Sequence, residues 1–167
     1  MTQLLRPTVD GPSRRTMLRH YVAYMWRFVV LRHVDPLIYG MCITDRCNFA
    51  CRGCTVANTG RPQMTWDQAV EAMSRAYVRG FRELYFSGGE PMLWHDGDRR
   101  IVDLIDAARS IGFFHVHVYT NGTRGLPIAA DTVWVSIDGL RDTYETRRGE
   151  HFDEVVDAIR SSRHPRL

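Results

Sequence analysis

Hydrophobic residues along the chain follow two alternating periods, one typical of strands and one typical of helices. Apolar runs of strand length lie at 37–43, 83–87, 114–120 and 132–137. Apolar residues at helical spacing lie at 65–79, 101–111 and 152–159. A further helix, rich in aromatic residues and arginine, is predicted at 17–32, and Pro36 limits its extension.

This alternation of strand and helix predicts an α/β fold with a four-stranded parallel sheet. Parallel strands need a crossover connection, which is normally a right-handed helix. Only residues 121–131 separate the third strand from the fourth. That length is short for a crossover helix, so we expect either a single helical turn or an irregular crossover there.

Composition indicates one globular domain with a basic N-terminal arm. The chain has 167 residues, 44% of them hydrophobic, which is sufficient for a packed core. The net charge is +3, but six arginines and only one acid fall within residues 1–34. The core is therefore not expected to bind nucleic acid. We divide the chain into a flexible arm at 1–15, a helix at 16–35 and a core domain at 36–167.

The basic helix at 17–32 has two interpretations. A helix that carries both arginines and large aromatic residues can lie in a membrane interface, which makes this segment a candidate for peripheral membrane contact. The alternative, which we favour, is a helix packed against the open end of the sheet or against a partner. No apolar stretch has the length of a membrane span.

Cys47, Cys51 and Cys54 form a C-x3-C-x2-C triplet directly after the first strand. Clustered thiols favour a metal or cluster site in a reducing, cytoplasmic compartment over disulfides. Structural zinc sites and ordinary ferredoxin clusters use four protein ligands. Three thiolates on a [4Fe–4S] cluster would leave one iron open to a small molecule. Cys42, inside the first strand, is expected to be a small buried core residue, and the alternative is a fourth ligand.

Polar and glycine-rich segments follow the other three strands. These positions are Gly88, Gly89, Glu90 and Pro91 after the second, Asn121 after the third, and Ser136 and Asp138 after the fourth. In a parallel barrel the carboxyl ends of the strands form the ligand-binding mouth, so we expect these residues to meet the cysteines there. The simpler interpretation of each is turn chemistry, because Asn-Gly and Asp-Gly pairs are common in turns.

His115 and His117 share one face of the third strand. Two histidines at this spacing could bind a metal. Because no third ligand is evident, we favour histidines hydrogen-bonded within the sheet.

Together, the cysteine triplet, Gly88-Gly89-Glu90-Pro91 and Ser136-Ile137-Asp138-Gly139 resemble the motifs of the radical S-adenosylmethionine (radical SAM) enzymes over residues 37–163. The resemblance implies a partial TIM-like (β/α) barrel. It also implies that Cys47, Cys51 and Cys54 hold a [4Fe–4S] cluster, whose fourth iron binds S-adenosylmethionine. The other contacts to this cofactor would come from Gly88, Gly89, Glu90, Pro91, Asn121, Ser136 and Asp138. Reductive cleavage would give a 5′-deoxyadenosyl radical that acts on a substrate, with the electron supplied by a flavodoxin- or ferredoxin-like donor.

The sequence departs from the family pattern in two respects. Gly53 stands where many members have an aromatic residue before the last cysteine. We also count about four βα units instead of the usual six, so the core domain is expected to be incomplete. Three hypotheses remain at this stage: a radical SAM enzyme, a truncated or partner-dependent iron–sulfur module without turnover, and a zinc module that uses Cys42.

Overall fold

The structure, a computed structural model, describes residues 11–167, and most of the predicted flexible arm lies outside this range. The chain begins with helix α1 (Arg14–Val29), whose first turn is capped by the Ser13 hydroxyl. Arg14 and Arg15 thus belong to the helix, although both were assigned to the arm. The helix also ends three residues before its predicted end.

The core domain follows as strands and helices in alternation. In chain order they are β1 (Ile38–Thr44), α2 (Trp66–Val78), β2 (Glu83–Gly88), the short strands β3 (His95–Asp96) and β4 (Arg99–Arg100), α3 (Ile101–Ile111), β5 (His115–Thr120), β6 (Thr132–Val135), α4 (Arg141–Arg148) and α5 (Phe152–Ser161). A 3₁₀ turn at Pro91–Leu93 precedes β3. Every predicted helix and strand is present within a few residues of its expected position.

The main sheet has the order β1-β2-β5-β6, and all its strands are parallel. This confirms the predicted α/β fold and the count of four strands. The crossover between β5 and β6 is irregular and contains no helix. It covers the sheet with buried Leu126, Ala129 and Ala130.

Two parts of the fold were not predicted. Strands β3 and β4 form a separate two-stranded hairpin whose Asp96 accepts a hydrogen bond from the Trp66 amide at the start of α2. Helix α4 was missed because Tyr144 is its only buried residue, so it has no hydrophobic period. Tyr144 packs with Phe49 and Val155 in a small cluster beneath the cysteine loop.

Alternation along the strands separates two very different faces of the sheet. One face packs on α2 and α3 and forms the core; its strand residues include Ile43, Leu84, Phe86 and Val118. The other face is concave and open within residues 11–167. Cys42 lies on this open face and is exposed. The expectation that it is a buried core residue was therefore wrong, because the side chains at 38, 40 and 42 point away from the helices.

Helix α1 lies across the amino ends of β2 and β5. The Tyr21 hydroxyl donates to Glu83 Oε1 at 2.6 Å, and the His20 ring meets the Phe114 ring edge-on with centroids 5.1 Å apart. The predicted packing of this helix against the end of the sheet is present. No helix within residues 11–167 has both the length and the apolar character needed to cross a bilayer.

Candidate functional site

A pocket of about 380 Å³ opens at the carboxyl ends of the four sheet strands. All three cysteines of the triplet line it, together with residues from the ends of β2, β5 and β6. The sequence-predicted residues found there are Cys47, Cys51, Cys54, Gly88, Gly89, Asn121, Ser136 and Asp138. Four separate segments of the chain therefore converge where the order of the strands predicted.

The cysteine loop is held in place by two polar side chains that sequence analysis did not single out. Asn58 accepts from the Cys47 amide at 2.9 Å and donates to the Phe49 carbonyl at 3.2 Å. Asp45 accepts from the Thr59 hydroxyl and from the Arg61 amide. These bonds fasten the segment after the triplet to the end of β1, so the loop has a defined path before any ligand binds.

The thiols of Cys47 and Cys51 are half-buried, whereas Cys54 is exposed. Burial raises the pKa of both half-buried thiols, and the nearby Arg148 partly opposes the increase at Cys51. The Phe49 amide donates to Cys47 Sγ at 3.4 Å, and Asn121 Nδ2 lies 3.9 Å from it. N–H groups aimed at sulfur are typical of cluster ligands, because they stabilise the charge on a thiolate.

These thiols fit an iron–sulfur cluster better than a single ion. Within residues 11–167, no three histidine, cysteine or acidic side chains are arranged to hold one metal ion. A cubane cluster makes a different demand, since each of its ligands binds a separate iron at a separate corner. Three soft thiolates along the rim of one pocket meet that demand. Cys42 is not among the lining residues and lies 3.6 Å from the Ser87 hydroxyl.

The glycine pair after β2 packs tightly against the end of β1. A Cβ atom on Gly88 would lie 2.2 Å from the Thr44 carbonyl oxygen, and one on Gly89 would lie 2.4 Å from that of Arg46. The Gly89 amide donates to Thr44 and the Glu90 amide to Arg46, both at 2.8 Å. Only glycine allows this contact, which places the backbone of both residues at the floor of the pocket.

Glu90 and Pro91 are the two predicted site residues that do not line the pocket. Glu90 is fully buried and accepts from the Thr120 hydroxyl and from the amides of Asn121 and Met92. Burial raises its pKa although these three donors oppose the change. Its carboxylate joins the turn after β2 to the end of β5. A contact with a cationic amine would require it to leave these donors.

Asn121, Ser136 and Asp138 differ in how free they are to bind a ligand. Asn121 is nearly buried, and its amide donates to Asn48 while its oxygen accepts from Thr123. Asp138 makes a two-bond ion pair with Arg148, and this hydrogen bonding lowers its pKa. The Ser136 hydroxyl makes no hydrogen bond with any described residue, and Ser136 is partly exposed in the pocket.

Sequence analysis missed three arginines at the rim, namely Arg52, Arg147 and Arg148. Arg52 lies inside the triplet itself, and its amide donates to the Arg147 carbonyl at 2.7 Å. The other two come from α4, whose existence was not predicted. Among the described residues, the guanidinium groups of Arg52 and Arg147 form no ion pair. The pocket therefore offers two cations to an anionic group.

Gly53 adopts a left-handed conformation with φ of 83°. The Cys54 amide closes this turn by donating to the Cys51 carbonyl at 3.2 Å. A larger residue would be strained in this turn. The departure from the family pattern thus belongs to a distinct local path of the loop.

Comparison with characterised proteins gives relatives of several activities. A probable GTP 3′,8-cyclase of Methanothermobacter marburgensis is 30% identical over 137 residues, which are 75% of this chain and 44% of the relative. A 7,8-dihydro-6-hydroxymethylpterin dimethyltransferase of Methanocaldococcus jannaschii is 28% identical over 125 residues, 65% of this chain and 24% of that protein. The chain spans less than half the length of these curated relatives.

Solved structures share the fold at low sequence identity. The enzyme anSMEcpe with bound AdoMet superposes with a TM-score of 0.58 at 19% identity, covering 76% of this chain and 40% of that one. Streptococcus suis SuiB, bound to its precursor peptide SuiA, gives 0.61 at 17% identity, covering 89% and 35%. The partial TIM-like barrel expected from the sequence is confirmed.

A model of one protein family matches residues 41–164, which include β1, the whole pocket and α5. That family is described as the radical SAM superfamily. The matched range contains the cysteine triplet, the glycine pair and the polar residues after β6. The chain therefore belongs to the radical SAM superfamily.

Proposed function

We propose that the chain holds a [4Fe–4S] cluster through Cys47, Cys51 and Cys54 and cleaves S-adenosylmethionine reductively. One observation carries the proposal: the three thiols share a single pocket with the glycine pair, Ser136 and Asp138. When bound, the cluster would supply the electron that splits the cofactor into methionine and a 5′-deoxyadenosyl radical, and an external flavodoxin- or ferredoxin-like donor would replace that electron.

The pocket residues support distinct parts of the cofactor. The backbone at Gly88 and Gly89 can pass close to the methionyl group, because neither residue has a side chain. Arg52 and Arg147 can pair with its carboxylate, since a guanidinium binds a carboxylate through two hydrogen bonds. The unpartnered Ser136 hydroxyl can bond either a ribose hydroxyl or that carboxylate. Asp138 is fixed by Arg148 and can accept from ribose without reorienting.

Glu90 acts through the loops that it joins. Its carboxylate fixes the Asn121 amide and the Thr120 hydroxyl, and Asn121 in turn lies beside Cys47. The glycine floor, the end of β5 and the first cysteine are thus connected through one buried group. We expect this connection to keep the thiols and the cofactor contacts in register.

A second candidate is an iron–sulfur module that does not cleave the cofactor without a partner. The share of the relatives that this chain spans favours it. The relatives' names concern a pterin, GTP and peptides, so they do not converge on one substrate. The two candidates make the same prediction for cluster binding and opposite predictions for 5′-deoxyadenosine.

The decisive experiment is anaerobic reconstitution of the 167-residue chain with iron and sulfide. Dithionite and S-adenosylmethionine are then added, and 5′-deoxyadenosine is measured by chromatography. A cluster together with 5′-deoxyadenosine supports the enzyme. A cluster without the nucleoside supports the partner-dependent module, and zinc without sulfide contradicts both.

Two cysteine variants provide a matched test of the ligands. Cys51→Ala should lose the cluster absorbance and the bound sulfide, because Cys51 lines the pocket. Cys42→Ala should retain both, because Cys42 lies on the open face of β1. Retention of a full cluster in Cys51→Ala would refute the ligand assignment, and its loss in Cys42→Ala would revive the fourth-ligand hypothesis.

A further inference from the structure

Helix α1 has two faces with different surroundings. The half-buried residues on the inner face point to the end of the sheet, where Tyr21 bonds Glu83 and His20 contacts Phe114. The opposite face presents large apolar side chains that are 52–65% exposed: Leu18, Val22, Met25, Trp26 and Val29. Their spacing of three or four residues aligns them in one stripe along the helix. No described part of the chain covers this stripe.

Arginines border the stripe, and no acid accompanies them. Helix α1 contains no aspartate or glutamate, and Asp35 is the first acidic residue after it. Asp35 pairs with Arg27 at 2.9 Å. Arg14, Arg15 and Arg19 form no ion pair with any residue in the described range 11–167. By helical geometry, Arg14 flanks one side of the stripe, while Arg15 and Arg19 lie on the other side.

We propose that this stripe, formed by Leu18, Val22, Met25, Trp26 and Val29, binds the surface of an anionic phospholipid membrane. An apolar stripe with tryptophan, bordered by cations, allows a helix to lie in the headgroup region while the arginines contact phosphates. A second copy of the chain suits this face less well. Its own arginines would oppose those of the first, and the centres of protein interfaces are depleted of charge.

The position of α1 determines how the membrane and the pocket would be related. The helix crosses the amino ends of β2 and β5, whereas the cysteines line the carboxyl ends. Strand β2 has six residues, which at about 3.3 Å each give roughly 20 Å between the two ends. The thiols would therefore face away from the bilayer, so this contact serves as an anchor and does not bring membrane-embedded substrates to the pocket.

The test is vesicle flotation of the 167-residue chain with phosphatidylcholine vesicles, with or without phosphatidylglycerol. We expect flotation only with phosphatidylglycerol, weakened by added salt because the attraction is electrostatic. Val22→Ser/Trp26→Ser should reduce binding at least tenfold. Arg15→Gln/Arg19→Gln should weaken it by about fivefold per arginine.

Leu140→Ser is the matched control, because Leu140 is 84% exposed but lies after β6, at the pocket end. It should float like the unmodified chain. All these substitutions are at exposed positions, and unchanged thermal unfolding would verify the fold. Absence of flotation with phosphatidylglycerol, or equal flotation of Val22→Ser/Trp26→Ser, would overturn the proposal. Dimerisation through this face without vesicle binding would also overturn it.

Discussion

Strand β2 begins at Glu83 and is followed two residues after its end by Glu90, and the two carboxylates have opposite surroundings. Glu83 lies near the imidazoles of His115 and His117, with its oxygens 3.7 and 3.6 Å from their nitrogens, and accepts from Tyr21. Hydrogen bonding to the two histidines, and then to Tyr21, lowers its pKa although burial opposes this. Glu90 is fully buried among neutral donors, and burial raises its pKa.

The difference shows how the two ends of one sheet are specialised. At the amino end, charged groups pair with each other and hold α1 in place. At the carboxyl end, glycine backbone, thiols and unpaired arginines surround an open pocket, and Glu90 supports them from below. The motif residues are consequently rigid at the carboxyl end for two different reasons, close backbone contact and one buried hydrogen-bonding group.

The largest effect is expected from Gly89→Ala at the carboxyl end. The new methyl group would meet the carbonyl oxygens of Arg46 and Asp45 at 2.4 and 2.5 Å, and backbone cannot move aside cheaply. We expect about 3 kcal/mol of destabilisation, measured by urea unfolding, together with loss of cluster binding. Gly97→Ala is the control, because Gly97 has a positive φ but open space around it. It should cost about 1 kcal/mol, and equal losses in both variants would contradict the close-contact argument.

Glu90→Gln should destabilise the chain by about 2 kcal/mol. Both carboxylate oxygens accept hydrogen bonds, so an amide nitrogen at either position would face an N–H or O–H donor. The change should also slow cluster assembly, since Asn121 and Cys47 depend on the same connection. Glu71→Gln is a matched control in an exposed pair with Arg75 and should cost less than 0.5 kcal/mol. If chemical unfolding gives the two variants the same stability, Glu90 does not hold the loops together.

Most of the fold was predictable because its elements have strong hydrophobic periods. Strands β1, β2, β5 and β6 carry apolar runs, and α2 and α3 bury one regular face each. Helix α4 could not be predicted, since a single tyrosine fixes it to the core. The exposure of Cys42 was missed for a related reason: a continuous apolar run does not reveal that only one face of the strand is covered.

The site was predictable to the extent that it depends on sequence order. Strand ends meet at one edge of a parallel sheet, so the cysteines, glycines and polar residues after strands could be assigned to one pocket. The orientation of Glu90 was not predictable, because the donors that turn it inward come from Thr120 and Asn121, thirty residues later. The arginines of the rim depend on α4 and were missed with it.

At the amino end, Glu83→Gln tests the ionic network, with an expected loss of about 1.5 kcal/mol near pH 5.5. The pKa of His115 is raised, chiefly by hydrogen bonding to Glu83, so the histidine contribution is complete below about 6.5 and lost as pH rises through the folded-state pKa. The Glu83 contribution is present above about 4.5 and lost as pH falls. Urea unfolding should therefore show the largest difference between variant and unmodified chain from about pH 4.5 to 6.5. A difference that increases toward alkaline pH would contradict this network.

The smallest effect concerns α1 alone. Tyr21→Phe removes the hydroxyl that donates to Glu83 but keeps the ring, which lies 5.9 Å from that of Phe114. We expect about 1 kcal/mol less docking energy, or a fivefold rise in helix opening, measured by hydrogen exchange of α1 amides. Tyr24→Phe is the control, because no described residue bonds the Tyr24 hydroxyl. Equal exchange in the two variants would mean that ring packing alone holds the helix, and the amino end would then owe its order to aromatic contacts instead of to its charged network.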